Sequence, residues 1–476
     1  MKKRLYLVLD QGGSASRAII FDQNGRQLYI SKQEVGTCRR QSGHVEHDPN
    51  ELVSSLHSAA AQVVSQLTQE QKSCLYACAL ITQRSTLVCW DKFSGAALSQ
   101  AISWQDVRAE GWLQKQRINN DEIYRTTGLF PNAHFGLSKI HWCLDNIPAV
   151  KTAQEQRRLT IAPLASYLTY QLLEENPWLV DPANASRTLL TNVSNGDWDK
   201  TLLKKFKLCE SLLPPIVPNK SDYGTFKVLD VEIAMGLLSG DQSAAVFSEA
   251  TPDKACCYVN IGTGAFIYRV ADKLEFEHRQ LNSIAHVDEH ICYVNEGTVN
   301  GAGAALEKYA AEYNITDIGE VLSVDWRSVN DETLPFFLNG VGGLASPYWR
   351  SDFESMFVND EAASNKERLI AIAESILFLL YKNLTLFLLG GDEPKAIVIS
   401  GGVSQSDVLC QYLADLTQLP VKRSEACEAS ARGAAFLLNN HYDDWAPLQQ
   451  HIFMPGRHSL CLQRYQQWLL LMEKKL

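Results

Sequence analysis

The sequence predicts an α/β protein built from two domains, and three observations support this prediction. The chain has 476 residues, enough for two or three domains at about 150 residues per domain. An apolar strand, a turn of small residues and a second apolar strand open the chain near residue 10, and the same order returns near residue 262. Stretches with helical periodicity follow each of these hairpins. Two similarly built halves are therefore expected.

The first half opens on strands predicted at residues 5–9 and 18–21, with a glycine-rich turn between them. The turn Asp22-Gln-Asn-Gly25 and an apolar run at 27–30 follow. Two hairpin turns so close together predict an antiparallel start to the sheet. Periodicity then predicts helices at 49–67, 108–116 and 137–145, and strands at 75–81 and 87–90.

The second half has strands predicted at 256–260 and 265–270 around the turn Ile261-Gly-Thr-Gly264. A later strand at 396–400, the turn Gly401-Gly402 and a helix at 403–416 form a further βα unit. A helix at 462–475 closes the chain. The boundary falls within residues 240–252, which predicts one domain at 1–245 and a second at 246–476. A cleft between two such domains is the expected ligand site.

Charge and cysteine content exclude several classes of protein. There are 54 acidic and 44 basic residues and no basic block, so nucleic-acid binding is not expected. The 12 cysteines form no CxxC pair, which favours reduced thiols and a cytoplasmic location. The apolar N-terminal run is too short for a signal peptide. The apolar stretch 369–389 contains Glu374, Lys382 and Asn383, and is predicted to be a buried helix and not a membrane span.

A phosphate site is indicated by the segment Asp10-Gln-Gly-Gly-Ser-Ala-Ser-Arg17. Gly12 and Gly13 allow backbone N–H groups to approach a phosphate closely. Ser14 adds a hydroxyl donor, and Arg17 adds a positively charged guanidinium group that can donate two parallel hydrogen bonds. Asp10 at the strand end suits Mg²⁺, which binds one or two carboxylates together with phosphate oxygens. For this segment taken alone, an ordinary glycine turn is the alternative.

Two further signals strengthen this interpretation. The turn Gly262-Thr263-Gly264 is of the same kind, and two such turns, one in each half, can clamp a polyphosphate. No Walker loop, GxGxxG fingerprint or protein-kinase motif set is present in the sequence.

The segment Gly240-Asp241-Gln242 offers a carboxylate that can accept the proton of an attacking hydroxyl in phosphoryl transfer. The alternative role for Asp241 is a helix N-cap.

Together these motifs resemble the FGGY carbohydrate kinases, of the superfamily that includes actin and hexokinase, and they are nearest to those of the glycerol kinases. The resemblance keeps motif order over almost the whole chain. The segments that carry it are Leu9-Asp-Gln-Gly-Gly-Ser-Ala-Ser-Arg-Ala18, Ile81-Thr-Gln-Arg-Ser-Thr86, Trp104-Gln-Asp-Val-Arg108, Asp181-Pro-Ala-Asn-Ala-Ser-Arg-Thr188, Gly240-Asp-Gln-Ser-Ala-Ala245, Gly262-Thr-Gly-Ala-Phe266, Gly343-Leu-Ala-Ser-Pro-Tyr-Trp349, Ser400-Gly-Gly402 and Ala431-Arg-Gly-Ala-Ala435.

The resemblance implies two actin-like (ribonuclease H-like) α/β domains with ATP and Mg²⁺ in a central cleft, and a homodimer. It implies that the polyol or sugar lies mainly on the first domain, and that Asp241 is the general base. Positions matching the ATP and magnesium sites are Asp10 (metal, through water), Gly12, Gly13, Ser14, Arg17, Asp241 (metal), Gly262, Thr263, Gly401, Gly402 and Gln405. Positions matching the polyol pocket are Arg84, Ser85, Trp104, His134, Asp241, Gln242 and Phe266.

The sequence departs from the glycerol kinase pattern mainly in the pocket. Ser85 stands where the pattern has a glutamate, and His134 replaces a tyrosine. Gly13 replaces a threonine, and Phe357-Val358 replaces Phe-Gly. A charge-assisted hydrogen bond to a substrate hydroxyl contributes about 1.5–3 kcal/mol, so the loss of the glutamate weakens glycerol binding about ten- to a hundredfold. The vacated volume predicts a longer polyol or a ketose.

The expected activity is therefore transfer of the ATP γ-phosphoryl group to a hydroxyl of a small polyol or sugar. The alternative is a catalytically weak ATP-binding sensor on the same fold, which the departures at residues 13, 85 and 358 motivate. Structural roles stay open for single side chains, namely an ion pair for Arg84, core packing for Trp104 and Phe266, and surface positions for His134 and Gln405.

Overall fold

The computed structural model describes residues 3–40, 43–116, 118–277, 279–324, 326, 334–389, 393–425, 428–439, 445–456 and 459–476. The chain forms two compact units. The first comprises Met1–Thr251, Asn282–Tyr293 and Glu428–Pro447, and the second comprises Pro252–Leu281, Val294–Cys427 and Leu448–Leu476. Each unit therefore contains several segments of the chain, and the division at residue 245 stays a prediction.

The secondary structure of residues 3–251 alternates between sheet and helix. Its strands are β1 (Leu5–Gln11), β2 (Ala15–Asp22), β3 (Gln27–Glu34), β4 (Cys38–Arg39), β5 (Val45–His47), β6 (Leu75–Thr82), β7 (Leu87–Asp91), β8 (Ala101–Ile102), β9 (Leu159–Pro163), β10 (Thr191–Asn192), β11 (Asp197–Trp198), β12 (Thr225–Val228) and β13 (Val231–Gly240). Its helices are α1 (Pro49–Ser65), α2 (Gln69–Lys72), α3 (Glu110–Lys115), α4 (Asn120–Thr127), α5 (Gly136–Asn146), α6 (Pro148–Glu155), α7 (Leu164–Leu172), α8 (Pro182–Ala185), α9 (Lys200–Lys205) and α10 (Asp241–Ala245).

The main sheet of the first unit has six strands in the order β12-β13-β6-β1-β2-β3. β1, β2 and β3 are antiparallel neighbours, which confirms the predicted antiparallel start. β6 runs parallel to both β1 and β13. The carboxyl ends of these three strands therefore share one edge, where Gln11 and Gly240 both lie opposite Thr82. A second sheet has the order β4-β5-β8-β7-β9, and β10 pairs with β11.

Helix α1 covers one face of the six-stranded sheet. It begins where Asp48 caps it, because the Asp48 carboxylate accepts the Asn50 N–H at 2.8 Å and a proline occupies the first helical position. Apolar residues at helical spacing, including Leu52, Leu56 and Val63, are buried against the sheet. All seven residues of β1 are buried; Leu5–Leu9 are mainly apolar, and the strand closes on the buried polar residues Asp10 and Gln11.

The secondary structure of residues 252–476 follows the same alternation. Its strands are β14 (Cys256–Ile261), β15 (Ala265–Ala271), β16 (Leu281–Val287), β17 (Ile291–Val299), β18 (Phe336–Leu338), β19 (Met356–Val358), β20 (Ala396–Ser400), β21 (Val421–Ser424) and β22 (Gln450–Phe453). Its helices are α11 (Gly303–Glu312), α12 (Ile318–Leu322), α13 (Asn365–Leu388), α14 (Asp407–Thr417), α15 (Ala429–Leu438) and α16 (Ser459–Glu473). Short 3₁₀ turns occupy Ser186–Thr188, Glu210–Leu212 and Gly402–Gln405.

The seven-stranded sheet has the order β16-β17-β15-β14-β20-β21-β22. β14 is antiparallel to β15 and parallel to β20, and β20 is parallel to β21. This repeats the arrangement around β1, which is antiparallel to β2 and parallel to β6, with β6 parallel to β13. The strand–turn–strand repeat predicted from the sequence is therefore confirmed, and β18 pairs with β19 apart from this sheet.

Helix α13 is the central helix of the second unit. It starts in a capping box, in which the Ser364 hydroxyl accepts the Glu367 N–H and the Glu367 carboxylate accepts the Ser364 N–H. In the described part of the chain, α13 is the one helix long and apolar enough to cross a membrane by length and composition, and most of its apolar stretch is buried inside the protein. The prediction of a buried helix over 369–389 is confirmed.

The helix predicted over 403–416 is confirmed from Asp407 onward, and its predicted start is wrong. Residues Gly402–Gln405 form a 3₁₀ turn, and α14 begins only at Asp407. Ser406 is extended, with φ −73° and ψ 115°, and its hydroxyl accepts the Leu409 N–H at 3.2 Å. A serine hydroxyl that caps the next turn competes with helix continuation, and this interrupts the helix. The closing helix is confirmed, with bounds Ser459–Glu473.

Helix α15 belongs to the first unit, although it lies late in the sequence. It packs against α10 so closely that a Cβ on Gly433 would overlap the Ala244 carbonyl. The buried Arg432 guanidinium donates to the carbonyl oxygens of Gly25, at 3.0 Å, and Ala446. These contacts bring Glu428, the residue before α15, beside the edge where β1, β6 and β13 end.

Candidate functional site

Three sequence motifs meet at the carboxyl edge of β1, β6 and β13. Asp10 lies near the end of β1, Arg84 follows β6, and Asp241 follows β13 as the first residue of α10. β6 lies between β1 and β13 in the sheet, so segments that are far apart in the sequence end side by side. Ligands of α/β proteins bind beyond the carboxyl ends of parallel strands, which makes this edge the candidate site of the first unit.

The turn after β1 presents free backbone donors. Gly12 N donates to Ala15 O at 3.0 Å, and a Cβ on Gly12 would lie 3.2 Å from that oxygen. The Thr37 hydroxyl donates to Gly13 O at 3.1 Å and supports the turn from its other side. Gly13 and Ser14 are exposed, and no acceptor for either backbone N–H lies among the residues that the structure describes. Exposed N–H groups in a tight turn form an anion-binding arrangement.

The Arg17 guanidinium lies between two carboxylates beside this turn, those of Asp10 and Glu428. Arg17 Nη1 lies 3.3 Å from Asp10 Oδ2, and Arg17 Nε lies 3.4 Å from Glu428 Oε1. Burial raises the pKa of Asp10 to about 7; Arg17 opposes this rise, and the carboxylates of Asp241 and Glu428 add to it.

The base candidate Asp241 is positioned by a close backbone approach. A Cβ on Gly240 would lie 2.5 Å from Cγ and 2.7 Å from Cδ of Arg84, so only glycine leaves room for the buried Arg84 stem. Gly240 is the N-cap of α10, and Gln242 N donates to Asp241 Oδ1 at 2.7 Å. Asp241 and Gln242 are both half-buried. Arg84, Asp241 and Gln242 therefore lie together, and their roles stay a prediction.

A buried lysine joins the segments that carry Ser85, Trp104 and His134. The Lys139 ammonium donates to the carbonyl oxygens of Ser85 at 3.1 Å, Ser103 at 2.8 Å and His134 at 2.8 Å. Ser85 itself has a positive φ of 64° and is half-buried. The Trp104 and His134 rings lie 6.2 Å apart between centroids. Lys139 thus holds the three predicted pocket positions close to one another.

Burial determines the charge of the histidine in this cluster. Burial lowers the pKa of His134 to about 4, and the positive charge of the nearby Lys139 lowers it further. The hydrogen bond between Nδ1 and the Trp104 carbonyl, 2.8 Å long, acts in the opposite direction and raises the pKa. At neutral pH His134 is uncharged, donates from Nδ1 to that carbonyl and keeps Nε2 as an acceptor. Burial also lowers the pKa of Lys139 to about 7. The negative charge of Asp106 raises this pKa, and the positive charge of Arg108 lowers it.

In the second unit, the turn between β14 and β15 rests on the start of α11. Gly303 N donates to Gly262 O at 2.8 Å, and the N–H groups of Ala302 and Ala304 donate to Thr263 O at 3.1 and 3.0 Å. The carbonyl oxygens of the turn are therefore occupied by N–H groups at the start of α11. Thr263 is exposed. The second predicted phosphate turn is therefore a rigid, outward-facing turn.

The turn after β20 lies directly beside this one. Gly401 has a φ of 97°, and a Cβ there would overlap the Ile261 carbonyl, so glycine is required for the close approach. Gln405 is exposed in the following 3₁₀ turn, and its carbonyl accepts from Arg423 at 3.1 Å. Phe266 is half-buried on β15 and stacks on Tyr268, with centroids 6.1 Å apart. The positions predicted for the nucleotide, Gly262, Thr263, Gly401, Gly402 and Gln405, thus lie together in this unit.

Lys139 and Gln83 were not among the residues predicted from the sequence. Lys139 lies four residues before Cys143, on the face of α5 that is buried. A lysine on the apolar face of a predicted helix is a signal, because a buried ammonium needs acceptors. Gln83 lies inside a motif quoted above, but only the structure shows that it is buried.

Comparison with known proteins assigns the chain to a family. The N-terminal domain model of the FGGY family of carbohydrate kinases matches residues 5–248, and the C-terminal domain model matches residues 257–440. The chain belongs to the FGGY family of carbohydrate kinases. Glycerol kinase from Shewanella pealeana is 31% identical over 447 residues, 92% of this chain and 90% of the relative. Glycerol kinase from Limosilactobacillus reuteri is 30% identical over 462 residues, 94% of this chain and 91% of the relative.

Solved structures of FGGY kinases share the fold. Plasmodium falciparum glycerol kinase with ADP superposes with a TM-score of 0.86 at 22% identity, covering 99% of this chain and 98% of that one. Xylulose kinase from Lactobacillus acidophilus superposes with a TM-score of 0.82 at 20% identity, covering 99% and 97%. The predicted α/β fold is confirmed as that of a two-domain sugar kinase, which is consistent with the actin-like superfamily.

The family assignment confirms the predicted enzyme class. The protein is an ATP-dependent sugar or polyol kinase, a phosphotransferase with a small-molecule alcohol as acceptor. Nothing in the comparisons favours the catalytically weak sensor.

Proposed function

We propose that Asp241 is the general base of this kinase, and that the acceptor is a polyol longer than glycerol or a ketose. An acceptor oxygen attacks the γ-phosphorus of ATP, a new O–P bond forms, and the bond to the β,γ-bridging oxygen breaks to release ADP. The hydroxyl proton passes to the Asp241 carboxylate. The observation that carries this role is the position of Asp241, at the edge shared with Asp10 and beside the Arg84 stem.

The phosphate chain is proposed to bind at the turns. The exposed N–H groups of Gly13 and Ser14, with Arg17 beside them, suit phosphate oxygens. Gly12 gives that turn its close approach. Gly262 and Thr263 are proposed as the second phosphate loop. Gly401, Gly402 and Gln405 are proposed to lie on the nucleoside side of ATP.

A magnesium ion fits the charge of the first turn. Asp10 is buried, and its pKa is raised by burial and by two neighbouring carboxylates, so a cation there relieves unfavourable charge. Mg²⁺ binds one or two carboxylates together with phosphate oxygens and water, and Asp10 and Asp241 offer such carboxylates. Asp10, through water, and Asp241 would face that ion, which when bound neutralises phosphate charge.

The acceptor pocket is proposed to use Arg84, Ser85, Trp104, His134 and Gln242, with Phe266 from the second unit. Ser85 offers a short hydroxyl, and the neutral His134 leaves Nε2 as an acceptor for a substrate hydroxyl. Neither side chain supplies a negative charge, in contrast to the glutamate of the glycerol kinase pattern. This chemistry favours hydroxyl-rich acceptors that fill more volume than glycerol. A homodimer is proposed on the family resemblance, and a cytoplasmic location on the cysteine pattern of the sequence.

A panel of acceptors tests the substrate class. Glycerol, four- and five-carbon polyols and three- to five-carbon ketoses are assayed for ADP release with ATP and Mg²⁺. We expect kcat/KM for the best longer acceptor to exceed that for glycerol by about tenfold or more. Glycerol as the best acceptor would contradict the proposed specificity while leaving the kinase assignment intact.

Asp241→Asn tests the base. The amide has the size of the carboxylate but cannot accept the proton, so kcat is expected to fall by about 100-fold or more. Binding of ATP, measured by calorimetry, is expected to stay within about threefold of the original, a difference of less than about 1 kcal/mol. Near-normal turnover in this variant would remove Asp241 from the proposed role.

A further inference from the structure

Gln83 has a buried side-chain amide with no hydrogen-bond partner. It follows directly after β6, the central one of the three parallel strands, and its backbone N–H donates to Gln11 O at 2.9 Å. The residue is only 3% exposed. Within the described part of the chain, neither Nε2 nor Oε1 of Gln83 has a protein partner. Such a group costs folding free energy, and its retention in a native protein calls for an explanation.

The position of this amide points to a ligand. A Cβ on Gly13 would lie 3.5 Å from Gln83 Oε1, so the amide lies against the turn proposed to bind phosphate. On its other side, the neighbouring strand β13 leads into Asp241. Two more buried side-chain hydroxyls without partners among the described residues, those of Ser239 and Ser243, flank Asp241. Unsatisfied polar atoms therefore gather where the three strands end.

Gln11 shows what a structural glutamine looks like at the same edge. It is fully buried, like Gln83. Its Oε1 accepts from the Ser16 hydroxyl at 2.9 Å, and its Nε2 donates to Gly12 O at 3.1 Å. Both of its polar ends are used inside the protein, and this bonding braces the turn. The two glutamines thus differ in what they bond, and burial alone does not explain Gln83.

We infer that Gln83 contacts the transferred phosphoryl group: with the amide turned so that Nε2 takes the place of Oε1 beside Gly13, Nε2–H donates to a γ-phosphoryl oxygen held at the turn of Gly12, Gly13 and Ser14. The amide supplies a neutral donor at the strand edge where β1 and β13 also present Asp10 and Asp241. Oε1 then faces the waters or hydroxyls that accompany the phosphate. This inference rests on the proposed function, because it needs ATP at that turn.

The test compares Gln83→Met with Gln11→Met. Methionine keeps the length of the side chain and has no N–H donor. Titration calorimetry measures the affinity for ADP and for a non-hydrolysable ATP analogue, both with Mg²⁺. Differential scanning calorimetry measures Tm. For Gln83→Met we expect the analogue affinity to fall about tenfold or more, the ADP affinity to be retained, and Tm not to fall. For Gln11→Met we expect Tm to fall, because two satisfied bonds are lost.

Turnover adds a further readout. Loss of one donor aimed at developing charge is expected to lower kcat of Gln83→Met by about 100-fold. Unchanged affinities for both nucleotides together with unchanged kcat would overturn the inference, as would a fall in Tm without any change in the analogue-to-ADP ratio. If the original protein binds neither nucleotide, it is the proposed function that fails. Gln83→Leu replaces Gln83→Met if the latter does not fold.

Discussion

Replacing Lys139 by methionine tests how the acceptor pocket is held together. The change keeps most of the side-chain length and removes the ammonium that donates to the carbonyls of Ser85, Ser103 and His134. Each buried carbonyl that loses its donor costs about 1–3 kcal/mol. Loss of the buried charge offsets part of this cost. We expect a net loss of stability of about 2–4 kcal/mol, seen as a lower Tm.

The larger effect is expected on acceptor binding. Lys139 holds the segments of Ser85, Trp104 and His134, and a misplacement of about 1 Å costs about 100-fold in rate. Initial-rate kinetics should therefore show the KM for the acceptor rising by about tenfold or more, with the KM for ATP unchanged. Lys115→Met, an exposed lysine at the end of α3, is the matched control. An unchanged acceptor KM and Tm in Lys139→Met would refute the reasoning.

Three further predictions concern the same unit. Ser85→Glu restores a carboxylate near Arg84 and is expected to lower the KM for glycerol about tenfold, with longer acceptors becoming poorer. Gly240→Ala places a Cβ 2.5 Å from Arg84 Cγ, and is expected to cost about 1–3 kcal/mol of stability and to lower kcat/KM for the acceptor. His134→Gln is expected to reduce the fall in the free energy of unfolding that occurs as the pH is lowered. Folding lowers the pKa of His134 from 6.5 to about 4, so its contribution is present above pH 6.5 and is lost as pH falls toward 4.

Each of these has a direct measurement. Steady-state kinetics on glycerol and one longer polyol tests Ser85→Glu, and an unchanged preference would contradict the proposed pocket. Chemical denaturation with parallel kinetics tests Gly240→Ala, and normal values for both would show that Arg84 has room to move. Urea unfolding between pH 4 and 7, in steps of about half a unit, tests His134→Gln. The same slope of unfolding free energy against pH in this variant as in the original protein would contradict the prediction.

Much of the fold could be predicted from the sequence because its signals are local. The strand–turn–strand openings near residues 10 and 262, the helix capped at Asp48 and the strand 396–400 all appear in the structure close to their predicted bounds. The exception at 403–416 is also local, because Ser406 caps a new helix where periodicity suggested a continuous one. Periodicity reports which face is apolar, and a capping hydroxyl changes the backbone without changing that pattern.

The candidate site was predicted only in part. Motif residues such as Asp10, Arg84 and Asp241 stand out in the sequence, and the structure brings them to one edge of the sheet. Lys139 and Gln83 were missed because their significance depends on partners distant in the sequence. The three carbonyls that Lys139 binds come from three separate segments, and the isolation of Gln83 is a property of its surroundings.

The sequence by itself determined the order of strands and helices, the glycine turns and the family, since each rests on residues close together along the chain. Only the tertiary structure decided which carboxylates surround Arg17, which carbonyls Lys139 holds and which amide is left unsatisfied. Hydrogen bonding and desolvation act over a few ångströms in space, whatever the separation in sequence. The raised pKa of Asp10 and the lowered pKa of His134 therefore became visible only in the folded chain.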